Sequence, residues 1–261
     1  MLTDTHCHPC DLARVFPESE QERRKFGVLA AASACNVDEF AHNEILAHNA
    51  ISENAVPVLL CYGIHPQQLT MSSEQLEILD KLAKEKRIGA IGECGFDLYN
   101  ETFRAAEVFQ DRFFAAQIEI ARKYELPVVL HVRRAIHKIF ACTKTLSMCK
   151  AVVFHSWPGT FEEAQSLLRR GVNAYFSFGN TIMLNHKQAM RTCALLPLDR
   201  ILTETDAPYQ WRRTEKFSRW SDLPLILKAA ASLRCETANI TDVKDLEAQI
   251  EENFLNVFSL G

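Results

Sequence analysis

The chain has 261 residues, 48% of them hydrophobic and 24% charged, with a formal net charge of -4. That length suits one α/β barrel or two smaller domains, and the charge excludes a general basic field that would draw the surface to DNA or anionic lipid. It leaves open an enzyme that meets phosphate through a bound cation, whose charge a residue count omits.

Eight short apolar runs, continuous rather than alternating, predict parallel strands covered on both faces. They fall at 1–6, 27–33, 56–63 and 87–92, then at 126–132, 150–155, 171–178 and 199–206. Helical stretches lie between them. Leu76, Leu79, Leu82 and Ala83 keep helical spacing, and Phe109, Phe113, Ala116 and Ile120 mark one face of a longer helix ending near Tyr124, before Pro127. Residues 161–169 read as a helix, with Gly171 turning the chain into the next strand. A charged, aromatic segment, YQWRRTEKFSRW at 209–220, follows the eighth run; a Leu- and Ala-rich helix at 223–233 comes next, and residues 245–260 close the chain as another. The acidic terminal stretch 236–254 reads as part of a barrel-closing helix.

Eight strands alternating with helices predict a single (β/α)8 TIM barrel over residues 1–261. The rival is a doubly wound open sheet, but no GxGxxG follows the first strand and nothing resembles a P-loop. No run reaches membrane-spanning length and no signal sequence opens the chain. Nine cysteines, an odd number, read as reduced thiols in a cytoplasmic protein. With no legible oligomerisation feature, a monomer is expected.

The polar residues at the strand ends carry the chemistry. His6 and His8 end strand one, His65 follows strand three, and Glu93 follows strand four. His131 ends strand five, His155 strand six and Asp206 strand eight. All seven fall on the C-terminal rim, where barrel active sites are built. His42, His48, His137 and His186 lie in polar or helical surroundings and read as ordinary surface histidines. The period-two spacing of His6 and His8 points both the same way, and Cys7 between them the other way. One HxH pair is weak evidence, but four histidines and two carboxylates on one rim need compensation that a shared cation provides. His6, His8, Glu93, His131, His155 and Asp206 are too many for one tetrahedral zinc with an open position. They suit two divalent ions about 3.5–4 Å apart that share a bridging carboxylate, an arrangement for hydrolysis. Magnesium, manganese, zinc or iron would serve.

Several stretches together resemble the TatD family of metal-dependent deoxyribonucleases, in the amidohydrolase superfamily. They are DTHCH (4–8), YGIHPQ (62–67), IGECGFD (91–97), LPVVLHVRRA (126–135), VVFHSWPG (152–159), YFSFG (175–179) and LTETDAPY (202–209), with a weaker ENFLNVF (252–258). The resemblance spans nearly the whole chain in the family's order. It implies that His6, His8 and Asp206 bind a first metal, that Glu93 bridges, and that His131 and His155 complete a second site. It further implies that Asp206 orients or deprotonates the attacking water, that His65 approaches the phosphate from outside the ligand set, and that Glu204 orients a ligand histidine. Asp97 is either a similar supporting group or a turn residue. The chain departs from the family at Phe96, at Arg134, where an Asp is common, and at Ser156-Trp157-Pro158, where Cys-Phe-Ser is common. These departures bear on the substrate mouth rather than on the ligands.

The resemblance implies hydrolysis of DNA phosphodiesters, from a single-stranded or frayed 3′ end. Arg133 and Arg134 would contact neighbouring phosphates, as would Arg212, Arg213 and Lys216, with Trp211 and Trp220 stacking on bases. One alternative is a barrel hydrolase of a small phosphoester, lactone or amide, since fold does not select substrate. Related amide hydrolases, however, often bridge their metals with a carboxylated lysine where this chain has Glu93. A metal-stabilised interaction scaffold is the non-enzymatic alternative.

Overall fold

The structure, a computed structural model, describes residues 1–213, 215–235 and 242–258. One parallel sheet takes eight strands in chain order: β1 Thr3–Cys7, β2 Leu29–Ala34, β3 Val58–Tyr62, β4 Ala90–Asp97, β5 Val128–Arg133, β6 Val152–Phe154, β7 Ala174–Phe178 and β8 Ile201–Thr203. Among the described residues the helices are α1 Pro9–Val15, α2 Ser19–Phe26, α3 Val37–Ser52, α4 Ser73–Lys84, α5 Glu101–Ala105 and α6 Glu107–Lys123. The second half adds α7 Ile136–Ala141, α8 Thr143–Leu146, α9 Phe161–Arg169, α10 Lys187–Leu195, α11 Leu223–Cys235 and α12 Val243–Phe258. This is the expected (β/α)8 barrel, with an open sheet ruled out by its seam. The terminal stretch read as acidic and helical includes residues 236–241, which lie outside the described residues.

β8 meets β1 through a mixture of side-chain and main-chain bonds. Thr5 Oγ1 donates to the Thr203 carbonyl at 2.8 Å and Thr203 Oγ1 to that of Thr3 at 3.1 Å. Asp4, fully buried, accepts from the Thr205 amide at 2.9 Å and from its hydroxyl at 2.6 Å. The Asp206 amide donates to the His6 carbonyl and the His8 amide to that of Ala207.

Alternation along the strands separates an inner from an outer layer. Val129, Val153 and Leu202 join the inner cluster, which Phe254, Val257 and Phe258 of α12 close from below. Val128, Leu130, Val152 and Phe154 face the helices. His131 shares parity with Val129, His155 with Val153, and Glu204 with Leu202, so these polar side chains sit on the inner layer.

Two irregularities alter that parity where the site needs it. Pairing of β1 with β2 slips between Asp4 and Cys7, and pairing of β4 with β5 slips between Ile91 and Cys94. Ile91 and Cys94, three residues apart, therefore both pack outward, and Glu93 faces in. A bulge re-aims a side chain in this way. β4 continues past the expected residue 92 to Asp97, paired with β5 as far as Arg133. Gly95 makes this approach possible, since at φ +135° an added Cβ would lie 2.1 Å from the His131 carbonyl oxygen.

The buried face of α6 differs from the expected face of Phe109, Phe113, Ala116 and Ile120. Gln110, Phe113, Phe114, Gln117, Ile118 and Ala121 are buried, while Phe109 is exposed. The two glutamines act as surrogate strand partners. Gln110 accepts from the Asp97 amide and donates to the Asp97 carbonyl, both at 2.9 Å. Gln117 does the same at Ile64, at 2.7 and 3.2 Å. Backbone groups next to His65 and at Asp97 are thus satisfied inside the protein, as buried peptide groups must be.

Candidate active site

Glu93 lies at the centre of the rim, 3% exposed, and its two oxygens face different partners. Oε2 is 3.1 Å from His6 Nε2 and 3.4 Å from His8 Nε2. Oε1 is 2.7 Å from His131 Nδ1, 3.1 Å from His155 Nε2 and 3.1 Å from His65 Nε2. Asp206 Oδ1 stands 3.5 Å from both His6 Nε2 and His8 Nε2. Five imidazoles and two carboxylates therefore meet within one small volume.

Electrostatics in this volume follow from burial opposed by proximity. Burial alone raises the Glu93 carboxyl, but His65, His6 and His155, with the bond from His131, outweigh it and hold Glu93 well below the usual range. Asp206 is held down likewise, chiefly by its bond to His8 and by His155 and His6. Burial lowers His6 and His65. It also works against protonation of His131 and His155, but their carboxylate partners prevail and raise both.

The donor set fits divalent cations. His6, His8 and Glu93 offer ligand atoms within 4.8 Å of one another, as do His6, His155 and Asp206, and as do His65, Glu93 and His131. His6 Nε2 is buried with no hydrogen-bond partner, though it faces carboxylate oxygens of Glu93 and Asp206. A nitrogen aimed at oxygens in geometry unsuited to a hydrogen bond suits an ion between them. His65, expected outside the ligand set, lies as near Glu93 as His155 does. Its Nδ1 accepts from the Gln67 amide at 3.2 Å, so the neutral ring carries its proton on Nε2.

Supporting contacts hold these side chains from behind. His6 Nδ1 meets Ser33 Oγ at 3.0 Å, and His131 Nε2 meets Asp97 Oδ2 at 3.1 Å. Asp97 is buried, and burial that raises its carboxyl is outweighed by bonds from His131, Gln67 and Tyr99, bringing it to about 2. It is both a supporting group and a turn former, since Oδ1 accepts from the Tyr99 amide. Glu204, fully buried, has Oε1 3.4 Å from His155 Nδ1 and accepts from the Ser156 hydroxyl. Ser156 in turn accepts from Gln210 Nε2 at 2.6 Å, and the same nitrogen donates to Asp206 Oδ2 at 2.7 Å. Sequence reasoning missed Asp4, Ser33 and Gln210. Asp4 was within reach, as an acid buried inside an apolar run; Gln210 carries no local signal. Cys7 packs away from the rim with Sγ 3.5 Å from the Ala31 carbonyl, Cys61 lies in the inner layer, and Cys94 in the outer one.

The rim opens into a cavity of about 880 Å³ that reaches Arg133, Trp157, His186 and Tyr209. His186, read as a surface residue, thus lines the approach. Arg133 lines it too, whereas Arg134, Trp211, Arg212 and Arg213 do not. Trp211 is half exposed and Arg213 exposed. Arg212 is paired with Glu215 at 3.3 Å and with the buried Asp222 at 3.1 Å. Trp220, expected as a stacking surface, is instead core: 1% exposed, it packs with Cys7, Ala207 and Leu223. Its flanking charges misled the reading, because it begins a short 3-10 turn, Trp220–Asp222, that leads into α11.

A family model described as TatD related DNase matches residues 3–259. The chain is 35% identical over 212 residues to the 3'-5' ssDNA/RNA exonuclease TatD of Pantoea sp. (strain At-9b), covering 76% of this chain and 77% of that one. It is 34% identical over 207 residues to the protein of the same name from Cronobacter sakazakii (strain ATCC BAA-894), covering 75% of each. In crystal structures, a TatD homologue from Escherichia coli k12 shares the fold with a TM-score of 0.85 at 24% identity, over 100% of this chain and 98% of that one.

Proposed function

The chain belongs to the TatD related DNase family, and from that premise we propose that this hydrolase cleaves DNA phosphodiesters stepwise from a single-stranded or frayed 3′ end. The observation that carries the reading is the division of Glu93, one oxygen toward His6 and His8, the other toward His65, His131 and His155. His6, His8 and Asp206 would hold one divalent cation and His131 and His155 a second, with Glu93 between. Bound there, such cations supply Lewis acidity toward a phosphoryl oxygen and a more acidic attacking water.

The side chains do the rest. Asp206 Oδ1 takes the proton of the attacking water while Gln210 holds Oδ2, so the carboxylate does not rotate away. His65 offers its Nε2 proton to charge developing on a phosphoryl oxygen. Glu204 fixes the ring of His155 through Nδ1. Arg133, on the cavity wall, meets the substrate's backbone charge, while Arg134, Trp211, Arg212 and Arg213 lie farther from the reacting atoms. The protein works as one barrel domain, a monomer in a reducing cytoplasm. The free, buried thiols of Cys7, Cys10, Cys61, Cys94, Cys149 and Cys193 support that setting.

The test is nucleotide release from single-stranded DNA by metal-stripped protein with magnesium, manganese or zinc added back, beside a folded Asp206→Asn variant. Metal-dependent release of 3′-terminal nucleotides that the variant loses upholds the reading. Absence of release with every metal, while a small phosphoester, lactone or amide is cleaved in an Asp206-dependent way, moves the substrate away from DNA. If no substrate is cleaved, the scaffold alternative stands.

A further inference from the structure

Three guanidinium groups gather around Tyr99 at the ends of β4 and β5, on the lip of the cavity that Arg133 lines. Arg133 lies 3.7 Å from the centre of the Tyr99 ring and Arg134 lies 4.6 Å from it. Arg134 and Arg104 each donate to the Tyr99 carbonyl at 3.3 Å, so two cations share one acceptor and two share one ring. Tyr99, Arg104, Arg133 and Arg134 are all exposed. Among the described residues, no carboxylate lies within 4.0 Å of any of the three guanidinium groups. Several other arginines have one: Arg87 pairs with Glu44, Arg122 with Glu119, and Arg212 with Glu215.

Like charges gathered this closely repel, and the ring and carbonyl offset only part of that cost. Arg134 also holds a left-handed backbone, φ 54°, a conformation that a non-glycine residue keeps only when its surroundings impose it. An anion with several acceptor oxygens fits such a cluster, and guanidinium forks match phosphate geometry. Arg133 is two residues beyond His131 on β5, so the cluster stands beside the reacting centre rather than in it. The other basic segment, around Arg212, is already part-neutralised by Glu215 and Asp222.

We infer that Arg104, Arg133 and Arg134, gathered on Tyr99, form a subsite for a backbone phosphate of the bound strand other than the one being cleaved. The inference rests on the reading above that single-stranded nucleic acid is the substrate. The subsite guides the strand along the β4–β5 side of the rim, and Tyr99 is its positioning residue, holding the guanidinium forks apart and oriented.

The test is a binding measurement that does not depend on turnover. Fluorescence anisotropy follows a labelled single strand of about 12 nucleotides, with phosphorothioate 3′ linkages to slow hydrolysis, on metal-loaded protein over a series of salt concentrations. The double variant Arg104→Gln/Arg134→Gln should bind about tenfold more weakly at low salt. Its plot of log affinity against log salt should be shallower by about 0.7, the loss of one phosphate contact on a single strand. Arg104→Lys/Arg134→Lys, which keeps the charge, should recover the slope. An unchanged affinity and slope in the folded Gln variant overturns the subsite, as does a wild type that binds no strand. Displacement of the strand by sub-millimolar inorganic phosphate also overturns it, by assigning the cluster to a free anion. Wild-type binding with the predicted slopes but no cleavage leaves the subsite standing and removes the nuclease reading instead.

Discussion

Gln210 donates to Asp206 Oδ2 at 2.7 Å, and the oxygen it leaves free, Oδ1, is the one that faces His6 and His8. The amide thereby fixes which oxygen of Asp206 is turned toward His6 and His8. Through Ser156 it also ties Asp206 to Glu204 and so to His155. Replacing Gln210 with Leu should lower kcat by about 10–100-fold with little change in KM, the range found for groups that orient ligands. Chelator titration of the same variant should show a parallel loss of metal affinity. A shift confined to KM would instead place Gln210 in substrate contact.

Removing metal should soften the fold as well as the activity. A ligand that binds only the folded state stabilises it by about 2.7 kcal/mol at a hundredfold excess over its Kd. In a chain of this size that corresponds to a rise of roughly 5–10 °C in Tm. Calorimetry with chelator and with added manganese should show this difference, and Glu93→Gln should remove most of it, because Glu93 contacts both histidine groups.

Gly95 should tolerate no side chain. Its φ of +135° and the 2.1 Å between a built Cβ and the His131 carbonyl oxygen mean that Gly95→Ala must push β4 from β5 or strain the backbone. A loss of about 3 kcal/mol or more is expected in denaturant unfolding. Activity should fall alongside, since β4, the strand displaced, is the one that carries Glu93.

At the opposite end of the barrel, Glu20 meets Arg23 at 2.7 Å and Arg24 at 2.8 Å. Arg23 is buried, donating also to the Val28 and Val56 carbonyls at 2.7 and 2.9 Å. Burial acts to raise the Glu20 carboxyl, but its bonds to Arg23 and Arg24 outweigh it and lower it. A carboxyl held down in the folded state binds fewer protons there than in the unfolded chain. Its stabilisation is therefore present above the unfolded value and is lost as pH falls through the folded one. Glu20→Gln should cost about 1–3 kcal/mol at neutral pH, and the difference from wild type should shrink below about pH 4. Thermal unfolding across that range measures it, and activity per folded molecule should not move.

Most of the rim cluster was legible because each member interrupts or ends an apolar run, and a barrel brings all strand ends of one polarity to one rim. His6, His131, His155 and Asp206 needed no more than that. The inward aim of Glu93 was not legible, because it depends on a slip in register against β5 that residues on both strands set together. Gln110 and Gln117 shifted the buried face of α6 from the apolar one read through Phe109, Phe113, Ala116 and Ile120, for a related reason. Their value lies in bonds to the backbone at Asp97 and Ile64, which no hydrophobic spacing records. The link from Gln210 to Asp206 depends on how the loop after β8 folds back over its own strand. Trp220 was misplaced because flanking charge resembles a binding loop whether or not the ring turns inward.

The seam between β1 and β8 has a consequence for the order of events as the chain is made. Asp4 and Thr205 are 201 residues apart, and the His6 carbonyl waits for the amide of Asp206. At ordinary rates of synthesis His6 and His8 emerge about 10–40 s before Asp206 does. Throughout that interval the growing chain has the rim imidazoles of β1 but lacks the Asp206 carboxylate that packs against them. The same late contact that finishes the barrel also completes the rim cluster, so a chain cut short before β8 lacks the carboxylate that faces His6 and His8.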